Sequence, residues 1–262
     1  MSVQISSAEN PKVKELRSLH HRSTRYSERL FLIEGVRLVE EAWRAGVSFH
    51  LVLYVTERMQ ETPRAAALLA QLATQSHAFS TTPKLLDSVA KTVTPQGVVA
   101  AVPFPEIPPR ATGLVLILDQ LRDPGNCGTI LRTAEAADVG LVLCTPGTVD
   151  PFSPKVVRAG MGAHFRLPLR VAVEWDMIAE KVTNHQVLLA EARSGRPYHT
   201  VDWKAPTALV VGGEAAGPSA TARRLTTATV SIPMAAGTES LNAAVATGIL
   251  LFEAVRQRHD KP

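Results

Sequence analysis

The side chains best placed to do chemistry together are Asn126 and Arg132, an amide that both donates and accepts hydrogen bonds and a permanent cation. They lie in the stretch 118–136, where an apolar run ends, Asp123-Pro124-Gly125 breaks the chain, and a helical pattern resumes. A helix entered just after a strand's carboxyl end is where α/β proteins place ligands, so a site would be built there. Taken alone, Asp-Pro-Gly-Asn is a common turn signal, Arg132 and Glu135 are spaced for a surface ion pair, and Asn126 suits a helix cap. Two later segments share the same build. Residues 209–219 run from an apolar strand into a Gly-rich loop bearing Glu214; residues 230–234 form another strand, followed by Ser240-Leu241-Asn242 at the start of a long helix.

The elements that must position these residues follow from periodicity. Up to residue 100 the spacing predicts helices over 11–21, 36–45, 63–75 and 83–90, and strands over 29–33, 50–55 and 97–102, a small α/β unit. Pro103, Pro105, Pro108 and Pro109 then make a stiff extended linker, which puts a domain boundary near residue 107 and predicts domains 1–106 and 107–262. Beyond it, strands are predicted over 114–118, 141–144, 165–169, 187–190, 208–211 and 230–232, and helices over 126–137, 155–159, 174–183 and 240–258.

Composition narrows the function classes. The 262 residues suffice for two domains, 45% are apolar, and the mean hydropathy is +0.06. No apolar run approaches the ~18 residues of a membrane span, and the N-terminus lacks the pattern of an export signal, so a cytoplasmic protein with no membrane contact is expected. Cys127 and Cys144 belong to no ligand pair, the eight histidines have no metal-binding spacing, and no metal is expected. The net charge of +4 is concentrated locally, with Lys12, Lys14, Arg17, Arg22 and Arg25 on one short segment. Such an excess suits a phosphate backbone, whose neutralisation releases counterions, although a solvated helix face reads the same way.

Three motifs in this order resemble those of the SpoU (TrmH) family of RNA 2′-O-ribose methyltransferases in the SPOUT superfamily: Asp123-Pro124-Gly125-Asn126 through Ala134, Gly212-Gly213-Glu214 with Gly217, and Ile232-Pro233-Met234 with Ser240-Leu241-Asn242. The first domain resembles the family's substrate-binding domain, with a fold like ribosomal protein L30e, through Asn10-Pro11, Ile33-Glu34-Gly35 and Pro95-Gln96-Gly97-Val98. The resemblance implies an α/β fold whose C-terminal domain is a trefoil-knotted parallel sheet, and a homodimer formed through that domain. It implies S-adenosyl-L-methionine held by Gly212, Gly213, Ile232, Met234 and Leu241, and a catalytic group of Arg132, Asn126, Glu214, Ser240 and Asn242. Arg132 would orient the ribose and its phosphate, with proton acceptance secondary. The presence of the first domain points to ribosomal RNA, most simply 23S rRNA. A tRNA methyltransferase and a non-catalytic RNA-binding or ribosome-assembly protein are the alternatives. Asp138 stands where the family commonly has glycine.

Overall fold

The computed structural model describes residues 4–92, 94–213, 217–235 and 238–259. The chain divides into two compact units, one of Met1–Pro105 with Phe152–Phe165 and one of Glu106–Pro151 with Arg166–Pro262.

In chain order the first stretch comprises β1 (Gln4–Ile5), α1 (Pro11–Ser18), α2 (Arg22–Glu28), β2 (Leu30–Glu34), α3 (Val36–Arg44), β3 (Leu51–Tyr54), α4 (Thr56–Met59), α5 (Pro63–Leu72), β4 (Ala78–Thr81), α6 (Pro83–Val89) and β5 (Val98–Pro103). The five strands form one mixed sheet in the order β1-β4-β3-β5-β2, with β5 antiparallel to both neighbours. Because strand side chains alternate between faces, Leu30, Leu32, Leu51, Leu53, Val99 and Ala101 turn to one side. There they pack with Val13, Leu16 and Leu19 and with Leu85, Leu86 and Val89 of α6. Helix α1 starts where expected: Pro11 occupies its first turn and the Asn10 side chain accepts from the Lys12 N–H at 3.0 Å. Helix α2 was not expected, since its seven residues are polar and carry no apolar period; it is held instead by the buried Arg25.

On the other face of β2, Phe31 meets residues far away in sequence. Phe152 and Phe165 lie 5.1 and 6.2 Å from its ring, and Phe104 stacks on Phe152 at 3.9 Å. The segment carrying them includes α8 (Pro154–Gly160), which packs on β2. Proximity in sequence to the downstream sheet therefore does not decide where this helix buries its apolar side.

The second unit contains β6 (Leu114–Asp119), α7 (Pro124–Ala136), β7 (Leu141–Cys144), β8 (Leu169–Arg170), α9 (Trp175–Lys181), β9 (Gln186–Ala190), β10 (Arg196–Pro197), β11 (Thr207–Gly212), α10 (Ala220–Leu225), β12 (Ala228–Ser231) and α11 (Ala243–His259). All seven strands pair in parallel, in the order β10-β12-β9-β11-β6-β7-β8. A parallel sheet covered on both faces demands continuous apolar strands, and β6, β7 and β11 read Leu-Val-Leu-Ile-Leu, Leu-Val-Leu-Cys and Ala-Leu-Val-Val. One face packs Val115, Ile117, Leu143, Leu189 and Val210 against Ile178 and Ala222.

The expected strand over 165–169 is corrected by the structure. Ala163–Phe165 forms a single 3-10 turn and only Leu169–Arg170 pairs, because Pro168 has no N–H and joins the sheet through its carbonyl alone, accepting from Val142 at 2.8 Å. After α7, Asp138 adopts the left-handed conformation (φ 53) that explains why glycine is usual at this position, and its carboxylate pairs with Arg110 at 2.9 Å.

Candidate functional site

Parallel register places the motif segments side by side. Asp119, the last residue of β6, is the register partner of Gly212, the last of β11, and Ala190 of β9 pairs with Val230 of β12. Four strand ends thus open on one edge of the sheet, the edge where such folds take their ligands.

A cavity of about 420 Å³ lies there, within the ~300–1,000 Å³ typical of small-molecule sites. Its floor is Val211, Gly212 and Gly213. Pro218, Ile232 and Met234 make apolar walls, and Ser240, Leu241 and Asn242 close it from the start of α11. Both glycines are required by close approach. A Cβ on Gly212 would sit 2.6 Å from the Pro218 nitrogen, and one on Gly213 would sit 2.6 Å from the Gln120 carbonyl oxygen. The fully buried Asp119 carboxylate holds the returning loop, accepting from the Ser219 N–H at 2.7 Å and from the Thr145 hydroxyl at 3.1 Å. Nothing in the sequence distinguishes Asp119 from the turn beside it. Only the strand register shows that it faces the loop a hundred residues later.

Helix α7 begins at Pro124, capped by Asp123, whose carboxylate accepts from the Asn126 N–H at 2.7 Å. This replaces the reading of Asn126 as the cap. The Asn126 Oδ1 accepts from Asn242 Nδ2 at 2.9 Å, so the first and third motifs are joined directly. Asn242 also caps α11, its Oδ1 accepting from the backbone N–H of Ala244 at 2.9 Å and of Val245 at 3.3 Å. The long helix accordingly starts at Ala243 rather than at Ser240. Ser240 lines the cavity, and Glu214 lies outside the described residues.

Arg132 is not brought to this group. It is exposed on α7, six residues beyond Asn126, which on an α-helix means about 9 Å along the axis and roughly 120° around it. Among the described residues it has no hydrogen-bond or ion-pair partner, and it does not line the cavity. Glu135, its expected partner at helical spacing, is instead engaged by Arg166.

The basic residues of the first unit separate in the same way. Lys12 lies 4.8 Å from the Phe79 ring, Lys14 pairs with Glu9 at 2.6 Å, Arg17 donates to the Ser88 hydroxyl, and Arg22 lies 5.2 Å from the Tyr26 ring. Arg25 departs from the expected strip. It is buried, and its Nη1 donates at 2.8 Å to the carbonyls of both Leu19 and His20, tying the end of α1 to α2. Beside it, His20 Nε2 donates to the Val89 carbonyl at 2.7 Å, and burial lowers the pKa of its imidazole. Both cysteines are buried and in no disulfide, and burial raises the Cys144 thiol well above its ordinary range. Among the described residues no group of three or more His, Cys, Asp or Glu side chains is arranged to hold a metal ion, and no helix is long and apolar enough to cross a membrane.

A parallel α/β unit with a glycine-floored apolar cavity at its strand ends, in a chain that also carries a smaller mixed-sheet unit, has the build of a small-molecule-binding α/β domain. Residues 113–252 match the SpoU rRNA Methylase family, and residues 10–100 match the MRM3-like substrate binding domain. The chain belongs to the SpoU family. It is 33% identical to the 23S rRNA (guanosine(2553)-2′-O)-methyltransferase RlmP of Bacillus subtilis, covering 95% of this chain and 98% of that one. With the 23S rRNA (uridine(2479)-2′-O)-methyltransferase of Streptomyces viridochromogenes it shares 34% identity over 92% of this chain and 87% of the other. The crystal structure of an AdoMet-bound rRNA methyltransferase from Sinorhizobium meliloti superposes with a TM-score of 0.83 at 33% identity, covering 97% of each chain.

Proposed function

We propose that this protein methylates a ribose 2′-hydroxyl in ribosomal RNA of the large subunit. As a SpoU-family member it is an RNA 2′-O-methyltransferase that uses S-adenosyl-L-methionine. The large subunit is supported by the 23S rRNA specificity of both relatives, and the first unit's match to a substrate-binding domain supports capture of the RNA there. The two relatives modify different nucleotides, a guanosine and a uridine, so family likeness leaves the target nucleotide to experiment. Nothing in the site favours tRNA.

The observation that carries the reading is the cavity floored by Gly212 and Gly213 and joined to Asn126 through Asn242. The glycines let backbone groups reach the cofactor, Ile232 and Met234 enclose its apolar parts, and Leu241 contributes both wall and backbone. When bound, the cofactor supplies a methyl group on a positively charged sulfur. Transfer would form the oxygen–carbon bond and break the carbon–sulfur bond with its electron pair left on sulfur, the hydroxyl proton passing to water or, in its secondary role, to Arg132. Holding oxygen and methyl in line is the protein's main contribution. In this reading Asn126, hydrogen-bonded to Asn242, holds the ribose, and Ser240 and Glu214 complete the pocket. Arg132 stands apart from the cavity, as befits a group that grips the ribose and its phosphate once RNA is in place; proton acceptance is a secondary role for it.

The trefoil path is supported by the chain's membership of the SpoU family. A homodimer through this unit is supported by Val245 and Phe252, 53% and 49% exposed and seven residues apart on one face of α11. Gly248, between them in sequence, packs close to Thr133, the neighbour of Arg132. A second copy seated on that face would lie beside the catalytic arginine. The reaction itself belongs in the cytoplasm, with ribosome assembly.

Arg132→Ala tests the mechanism: methyl transfer to RNA should be lost while calorimetric affinity for S-adenosylmethionine stays within about twofold. Wild-type turnover in this variant would refute the assignment. Mapping 2′-O-methylation on rRNA and tRNA from cells with and without the gene identifies the substrate, and a missing methyl on tRNA alone would overturn the ribosomal reading.

A further inference from the structure

Glu191 is the only ionisable side chain among the described residues that line the cavity. It follows directly on β9, and its backbone is fixed by donation from its N–H to the Val230 carbonyl at 2.9 Å. The carboxylate is 20% exposed and accepts from Arg223 Nη1 at 2.6 Å, whereas Arg223, on α10, is 53% exposed. Arg223 also reaches towards Gly217, where an added Cβ would meet its Nη2 at 3.8 Å. Glu191 thus lies on a cavity whose described lining is otherwise uncharged and largely apolar, and its partner Arg223 is the more exposed of the pair, so screening weakens the neutralisation.

The reaction changes the charge of what occupies that cavity. S-adenosylmethionine carries a sulfonium, an ammonium and a carboxylate, with a net charge of +1. After the methyl leaves, S-adenosylhomocysteine has a neutral thioether and no net charge. The two ligands otherwise have the same shape apart from one methyl group, so hydrophobic walls and backbone hydrogen bonds separate them poorly. A fixed negative charge does separate them, because it favours only the cationic form.

We infer that Glu191 is a specificity-determining residue that makes the cavity prefer the sulfonium donor over its neutral product, with Arg223 setting the strength of that preference. The inference rests on the cavity being the cofactor site. Its function is exchange: the carboxylate's pull on the ligand disappears with the sulfonium charge, so the spent product is held less tightly than incoming donor. Arg223 moderates the effect, since an unpaired carboxylate would also resist loss of the sulfonium charge during transfer.

The test is calorimetry on the full chain with S-adenosylmethionine and S-adenosylhomocysteine as separate ligands, for wild type, Glu191→Gln and Arg223→Gln. Glu191→Gln should weaken the sulfonium ligand by about tenfold and the thioether by less than about twofold, and Arg223→Gln should move the preference the other way. In wild type the preference should shrink as salt is raised. Equal loss of both ligands in Glu191→Gln, or a preference unchanged in both variants, overturns the inference. Gly212→Ala separates this failure from failure of the site assignment. If it leaves both affinities intact, the cavity is not the cofactor site; if it weakens both while Glu191→Gln does not discriminate, only the charge argument falls.

Discussion

Gly212→Ala is a sharp test of how the cavity is built. The new Cβ would lie 2.6 Å from the nitrogen, 2.9 Å from Cα and 2.9 Å from Cδ of Pro218. None of these atoms belongs to a flexible side chain that can swing away. Restoring an ordinary 3.4 Å contact requires a shift of 3.4 − 2.6 = 0.8 Å between β11 and the Pro218 backbone. Ser219, the next residue, gives its N–H to the buried Asp119 carboxylate at 2.7 Å, and the same shift would stretch that bond to about 3.5 Å, where little of it remains. A hydrogen bond to a charged group contributes about 1.5–3 kcal/mol. The variant should therefore lose about 2 kcal/mol, or about 4–8 °C in Tm for a unit of this size. Because Pro218 is also a cavity wall, cofactor affinity should fall by tenfold or more. Thermal denaturation and calorimetry with S-adenosylmethionine read the two effects. Combining Gly212→Ala with Asp119→Asn should cost clearly less than the sum of the single changes, since both act on one contact. A wild-type Tm with wild-type affinity, or strict additivity, would refute this account.

Three further outcomes follow from the same geometry. Asn242→Ser keeps a capping oxygen but is too short to bridge to Asn126. Its stability should stay within about 0.5 kcal/mol of wild type while methyl transfer falls at least tenfold, and a fully active Ser variant would show that the Asn126–Asn242 bond is dispensable. Arg258 donates to the carbonyls of Trp203, Thr112, Gly113 and Ala205. Arg258→Ala should destabilise the second unit by about 3 kcal/mol in denaturant titration, and Arg258→Lys should recover little because an ammonium cannot span that fork. The Arg256 guanidinium bonded to Glu253 holds its carboxyl at about 2 against an ordinary 4.5, so the stability it contributes is present above pH 4.5 and is lost as the pH falls towards 2. Glu253→Gln should flatten that part of the acid-unfolding profile, and an unchanged profile would argue that the pair forms equally well in the unfolded chain.

Much of this protein is written locally. The apolar runs of β6, β7 and β11, the proline-opened helices α1 and α7, and the Gly-Gly floor of the cavity are all matters of a few consecutive residues, where side-chain period and backbone freedom leave little choice. The three motifs, read in order, were enough to identify the family and its cofactor. What they could not convey is partnership across the chain. Arg25 has the charge of a phosphate contact, yet its side chain is buried and its Nη1 donates to two nearby carbonyls. Phe152 and Phe165 sit in the span of the downstream sheet but bury themselves around Phe31, because rings pack wherever enough apolar surface is left uncovered. Asn126 was legible as a polar residue near a strand end; that Asn242 would be the one to hold it depends on the start of α11 being carried back beside α7. Asp119 and Glu191 carried no signal at all, since one carboxylate at the end of an apolar strand looks like any other. Strand register set Asp119 beside Gly212, and the pairing of β9 with β12 brought Glu191, the next residue, to the lining of the same cavity. Sequence by itself determined which elements form and which chemistry they can support, because those depend on neighbours along the chain. The tertiary structure decided which side chains meet, because that depends on neighbours in space.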